Sequence, residues 1–143
     1  MGVIEHLIGE AILGFSQAEF LLDDVLHKLG LTQAKFEFMG NIRTGNKLVE
    51  YRQKVAESGY ENSKLLLNLI DRIDWFREVR NSLAHSIILR SMSDDDCYIR
   101  HRFRSSKTGI ERYTETFSSN QLRDQIRELH EACKSLKELY QDI

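Results

Sequence analysis

Hydrophobic positions at the start of the chain recur at alternating steps of four and three: Ile4, Ile8, Ala11, Phe15, Ala18, Leu22, Val25 and Leu29. That spacing lays an apolar stripe along one helix face and predicts a helix of about 27 residues, closed by Gly30 as its C-terminal cap. Gly9 and Gly14 fall inside it, where each costs about 1 kcal/mol, so they mark places for close helix approach. From Thr32 to Gly40 the pattern is a short apolar turn or helix carrying Phe36, Phe38 and Met39. Thr44 or Asn46 then caps a helix that runs to Ser58-Gly59 and offers Leu48, Val49 and Val55 to the core. Asn62 or Ser63 opens the next one, whose stripe is Leu66, Leu69, Ile70, Ile73, Phe76, Leu83 and Ile87.

From Ile88 to Phe117 the period shortens to two. Cys97 to Arg104 and Ile110 to Phe117 alternate polar and apolar residues, and Ser93-Asp94-Asp95-Asp96 and Ser105 to Gly109 read as turns. This predicts two or three short antiparallel strands inserted before a last helix. Ser118 or Ser119 caps that helix, and Leu122, Ile126, Leu129, Cys133, Leu136 and Tyr140 restore the helical spacing. The expected fold is mainly α: one domain over 1–143, a four- to five-helix bundle with a small antiparallel β insertion at about 88–117.

Composition supports this. The chain of 143 residues has no proline, which suits long uninterrupted helices. A chain this size buries close to 70% of its surface, enough for one core. Apolar runs such as Leu65-Leu66-Leu67 are far short of the roughly 20 residues a membrane span needs. The N-terminal residues carry no basic region or small-residue cleavage site, and His6 stands where a myristoylation signal wants Ser or Thr, so a cytoplasmic location is expected. Cys97 and Cys133 are too few for a disulfide scaffold, and with His6, His27, His101 and His130 scattered, no metal-ligand spacing exists. No cofactor is expected. The acidic turn Asp94-Asp95-Asp96 lacks the ligand spacing of a calcium loop and reads as a solvated turn. Ser82 and Ser86 lack the base and orienter that a nucleophile needs.

Charge breaks the pattern once inside a helix. Arg80 falls within the apolar arc spanned by Ile73, Phe76, Leu83 and Ile87. A guanidinium cannot shed its charge, and an unpaired buried charge costs several kcal/mol. Arg80 therefore pairs with a carboxylate of the first helix, such as Glu19 or Asp23, or faces an open cleft. Asn81 and His85 stand four apart on an adjoining face, flanked by Arg77, with the small Ala84 between them. Histidine exchanges protons near neutral pH, and arginine presents a fork that matches phosphate oxygens. Together they suit metal-free cleavage of a ribose-phosphate backbone, with His85 as acid or base and Arg80 on the phosphorane charge. One of each is few for that work, and two copies across a twofold axis would supply a pair of each.

Arg80-Asn81-Ser82-Leu83-Ala84-His85 resembles the R-x4–6-H motif of the HEPN superfamily, with a polar residue after the arginine and the motif late in a long helix. The resemblance extends over the chain in helix order, but only these residues are specific. It implies a HEPN-like bundle acting as a homodimeric, metal-independent endoribonuclease on RNA, in a toxin–antitoxin or anti-phage setting, with an antitoxin or operon-encoded partner. Arg80 and His85 would be catalytic, and Asn81 would orient His85 or contact RNA. Two features depart from it. Ile87 stands where one subgroup carries a tyrosine that is modified to silence the toxin, and the β insertion lies outside the minimal bundle.

Arg100, Arg102 and Arg104 alternate along one strand, so with Arg77 they are candidate RNA contacts, interleaved with Tyr98, Phe103 and Tyr113. The same charges would also protect a hairpin from edge pairing. Trp75 and Val79 lie off the core stripe and suggest a second packing face. The competing functional expectation is a non-catalytic dimerising module that binds a partner protein or nucleic acid, with Arg80 in a structural ion pair.

Overall fold

The computed structural model describes residues 2–32, 44–90 and 96–143. The expected apolar turn with Phe36, Phe38 and Met39 lies outside the described residues, as do Asp94 and Asp95 of the acidic turn. Four helices and three strands follow in the order α1 (Val3–Lys28), α2 (Thr44–Glu57), α3 (Ser63–Ala84), β1 (Ile87–Arg90), β2 (Tyr98–Ser106), β3 (Gly109–Phe117) and α4 (Ser119–Asp142). Among the described residues no helix is long and apolar enough to cross a membrane.

The stripe of α1 is the spine of the core. Ala11, Phe15, Ala18, Leu22 and Val25 are all buried, joined by Leu7 and Leu26. The helix ends because Gly30 takes φ +75°, which lets the Gly30 and Leu31 amides bond back to His27 and Leu26 and satisfy carbonyls that a helix end leaves open. Along its length α1 packs most extensively against α4. Gly14 is the reason the two helices come so close: a Cβ there would stand 3.0 Å from Leu129 Cδ2 of α4, whereas one at Gly9 would meet nothing within 4 Å. Of the two glycines, only Gly14 serves helix approach.

In α2 the buried face is Lys47, Leu48, Tyr51 and Val55, and Val49 is 62% exposed. Leu48, Tyr51 and Val55 share one face at steps of three and four, which turns Val49 outward and corrects its placement in the core. In α4 the stripe ends on Leu139 rather than Tyr140; the Tyr140 ring instead lies under the Lys28 ammonium at 4.1 Å. Cys133 is buried and unpaired, and burial raises its thiol pKa.

The helix α3 stops at Ala84. Ile87, expected on the α3 stripe, instead begins β1 opposite His101, because pairing with β2 takes the backbone groups that another helical turn would need. The sheet is antiparallel in the order β1-β2-β3. Its β2–β3 hairpin pairs from Tyr98 opposite Phe117 to Ser106 opposite Gly109, and the tight Lys107-Thr108 connection needs the φ of +130° at Gly109. Only the base of the hairpin enters the core. Tyr98 is buried and its ring lies 5.7 Å from that of Phe117, while every β3 residue before Phe117 is exposed.

Ser118 caps α4 through a reciprocal pair: Gln121 N–H donates to Ser118 Oγ at 3.1 Å, and Ser118 N–H to Gln121 Oε1 at 2.8 Å. Asp96 adds a second anchor by accepting from the Ser119 hydroxyl and its amide. Those bonds, the hydroxyl's foremost, hold the Asp96 carboxyl below the usual carboxylate range.

The two glycines of α1 make a matched test of this packing. Gly9→Ala is expected to stabilise the protein by about 1 kcal/mol through helix propensity. Gly14→Ala should lose most or all of that gain because Leu129 must move. Urea midpoints of the two variants would show the difference, and equal gains would contradict the close approach.

Candidate functional site

Phe76 of α3 stacks on Phe15 of α1 with ring centroids 6.5 Å apart. Arg80 stands one turn further along α3, and its guanidinium carbon lies 4.8 Å from the Phe15 centroid. That contact is a cation–π interaction, worth about 0.5–2 kcal/mol depending on desolvation. Arg80 Nε is shut off from solvent and has no hydrogen-bond partner among the described residues. Among the described residues no carboxylate forms an ion pair with Arg80.

The carboxylates expected to serve it are bound elsewhere. Lys47 of α2, only 3% exposed, places its ammonium 2.9 Å from Glu19 Oε1 and 3.3 Å from Asp23 Oδ2. The Tyr51 hydroxyl donates to Asp23 Oδ1 at 2.7 Å. Burial raises the Asp23 pKa even though Tyr51 and Lys47 both favour its anion. Burial, reinforced by Asp23, raises the Tyr51 hydroxyl far above its ordinary value. Glu19 and Asp23 lie one and two turns beyond Phe15 on α1, and the cluster commits both to Lys47 and Tyr51 rather than to Arg80.

A second ionic chain joins α2 to α3. Asp74 accepts from Arg52 Nη2 at 2.6 Å and from Arg77 Nε at 2.9 Å. Burial opposes the Asp74 anion, but the two arginines outweigh it and its pKa falls. Arg77 also pairs with Glu78 at 3.1 Å, and it closes over Gly45, where a Cβ would stand 3.3 Å from Cζ. The structure thus places Arg77 in a helix–helix joint with its Nε and Nη2 both engaged by carboxylates.

His85 is exposed and is the C-cap residue of α3, with φ −114° and ψ 17°. It therefore does not continue the helix face assumed from its spacing. Its amide still donates to the Asn81 carbonyl at 3.0 Å, and this bond keeps Asn81 and His85 together at the end of the helix. Arg80, Asn81 and His85 are thus gathered within the last turn and a half of α3. On the sheet, register sets Arg100, Arg102 and Arg104 opposite Glu115, Tyr113 and Glu111. Arg100 is ion-paired with Glu115 and its guanidinium lies 5.5 Å from the Phe117 ring centroid. Arg102 is exposed, with no ion pair among the described residues.

Trp75 is 51% exposed. It lines a groove between α3 and α4 with Phe76, Leu129 and Ala132. Among the described residues, no cluster of three His, Cys, Asp or Glu side chains could hold a metal ion.

Spacing had not singled out the Lys47 cluster, although its signal was present. Lys47 and Tyr51 stand four apart beside Leu48 and Val55, and Glu19 and Asp23 stand four apart beside the α1 stripe. What the fold and site define is a mainly helical bundle with a three-stranded insertion and an uncompensated arginine near the end of its third helix. No family model, curated protein or solved structure matches the chain.

Two substitutions separate the structural cation from the uncompensated one. Lys47→Met leaves two carboxylates without their ammonium and is expected to cost about 3–5 kcal/mol. Arg80→Met removes a half-buried charge with no counter-ion, so stability should stay within about 1 kcal/mol or rise. Urea unfolding of both proteins checks this, and a large loss in Arg80→Met would show that the arginine is structural.

Proposed function

We propose that the chain is a metal-independent endoribonuclease of the HEPN type, acting on RNA as a homodimer. The observation that carries this reading is the unmatched charge of Arg80 beside the exposed His85. A structural arginine in a helix interface ends on a carboxylate, and here Lys47 and Tyr51 hold the Glu19 and Asp23 carboxylates of the facing helix. A part-exposed guanidinium with no protein counter-ion is free to receive an anion, and the phosphate of a nucleic acid matches its fork.

In this mechanism the RNA 2′-hydroxyl attacks the adjacent phosphorus and the 5′-oxygen departs. One imidazole takes the 2′-hydroxyl proton and a second donates a proton to the leaving oxygen. Each chain supplies one His85 in the motif, so a second copy provides the other, the two motifs facing across a twofold axis. Arg80 offsets the charge that builds on the phosphorane. Asn81 takes the role that the motif's resemblance implies, orienting His85 or contacting RNA through its side-chain amide. The products are a 2′,3′-cyclic phosphate and a 5′-hydroxyl. A toxin or anti-phage role and an operon-encoded partner follow from the motif's resemblance and belong to this proposal.

The test is incubation of purified protein with total RNA, followed by analysis of the ends produced. Cleavage yielding 2′,3′-cyclic phosphates should persist in EDTA and drop by at least about 100-fold in His85→Ala and Arg80→Ala, with unchanged circular dichroism. Full activity in His85→Ala would end the mechanism. A stable wild-type dimer that leaves RNA intact would favour a non-catalytic interaction module.

A further inference from the structure

A polar cleft of about 300 Å³ opens between the second half of α3, the inner part of the β2–β3 hairpin and the first turns of α4. It lies at the lower end of the size range of small-molecule sites. Charge accounting around its wall leaves one group unmatched. Glu78 is paired with Arg77, and Glu115 with Arg100, whereas Arg102 has no such partner among the described residues. Uncommitted amides stand close by. Gln121 Oε1 is bound to the Ser118 amide, which leaves the Gln121 NH₂ available, and the Gln125 amide forms no hydrogen bond among the described residues. Beneath them the floor is apolar, built from Val79, Leu83 and Leu122.

We infer that this cleft seats one nucleotide of a single-stranded RNA, with Arg102 on its phosphate and Gln121 and Gln125 at the edge of its base. One unmatched cation asks for one anion. Side-chain amides offer both donors and acceptors, as a base edge requires, and the apolar floor accepts a flat ring. Only an unpaired base can present its edge there, so duplex RNA is excluded. The α3 wall of the cleft, Glu78 to Leu83, overlaps the motif and ends two residues before His85. A strand held here therefore lies close to the C-terminal end of α3. The inference rests on the nuclease reading for its choice of RNA, and of the two arginines that line the cleft it assigns the phosphate to Arg102, because Arg100 is neutralised by Glu115.

The test separates binding from cleavage. Fluorescence anisotropy would follow a labelled single-stranded RNA of about eight nucleotides, 2′-O-methylated so that it has no attacking hydroxyl. Arg102→Ala should weaken binding about tenfold or more and reduce the salt slope by about 0.7. Gln125→Ala should weaken binding with no change in that slope. Arg112→Ala is the matched control, since Arg112 pairs in register with Phe103 on the opposite sheet face; it removes the same charge and should leave affinity nearly unchanged. Duplex RNA should compete poorly. Equal effects of Arg102→Ala and Arg112→Ala, or none from either, would overturn the cleft assignment. So would 5′-AMP binding as tightly as the oligonucleotide, which would make this a free-nucleotide site. Weaker binding in Arg102→Ala, with a wild-type protein that cleaves no RNA, would sink the nuclease reading and leave the cleft standing.

Discussion

The position of one ammonium governs the candidate site. Lys47 is carried into the interface by the α2 face that also buries Leu48, Tyr51 and Val55, and there it satisfies two carboxylates of α1 at once. Two part-buried carboxylates side by side repel each other, and Lys47 and the Tyr51 hydroxyl offset that repulsion. With both acids committed, Arg80 is left against the Phe15 ring, where a π face gives partial compensation but no hydrogen bonds. A charged group held this way is poorly served by its own protein and well placed for a ligand that brings an anion.

A similar division recurs across the molecule. Asp74 draws Arg52 and Arg77 into a joint between α2 and α3, and Glu115 draws Arg100 onto the hairpin. These pairs convert Arg77 and Arg100, which read as RNA contacts, into parts of the scaffold. Among the described residues, the arginines without an ion pair include Arg80 on the α1 side of α3 and Arg102 in the cleft on its other side. The proposed function uses this remainder, with chemistry at the helix end and strand binding beside it. It also gives the β insertion a purpose, because without β2 and β3 the cleft has no third wall.

Much of the architecture could be read from periodicity. The four-three spacing located α1, α3 and α4, the shift to a period of two located the sheet, and Gly30 and Ser118 closed and opened helices as their chemistry requires. The misassignments have local causes. Val49 and Val55 look equivalent in a list of apolar residues, and only the position of Tyr51 shows which face turns inward. Tyr140 and Leu139 both extend the α4 stripe acceptably, and the docking of Lys28 decides between them. His85 and Ile87 continued the helix on paper because nothing before Ser86 announces a stop. The helix ends when β1 pairs with β2, which is a contact between residues up to 14 positions apart, Ile87 with His101.

The sequence by itself determined the helix faces, the strand period and the presence of an arginine out of place among hydrophobic residues, since these depend on spacing along one element. Which carboxylate meets which cation is another kind of fact. It depends on the rotation of α2 against α1 and on the register of β2 against β3, and every acid had several basic residues within plausible reach. Tertiary structure alone assigned Glu19 and Asp23 to Lys47 and Glu115 to Arg100, and so decided which arginines were left to act.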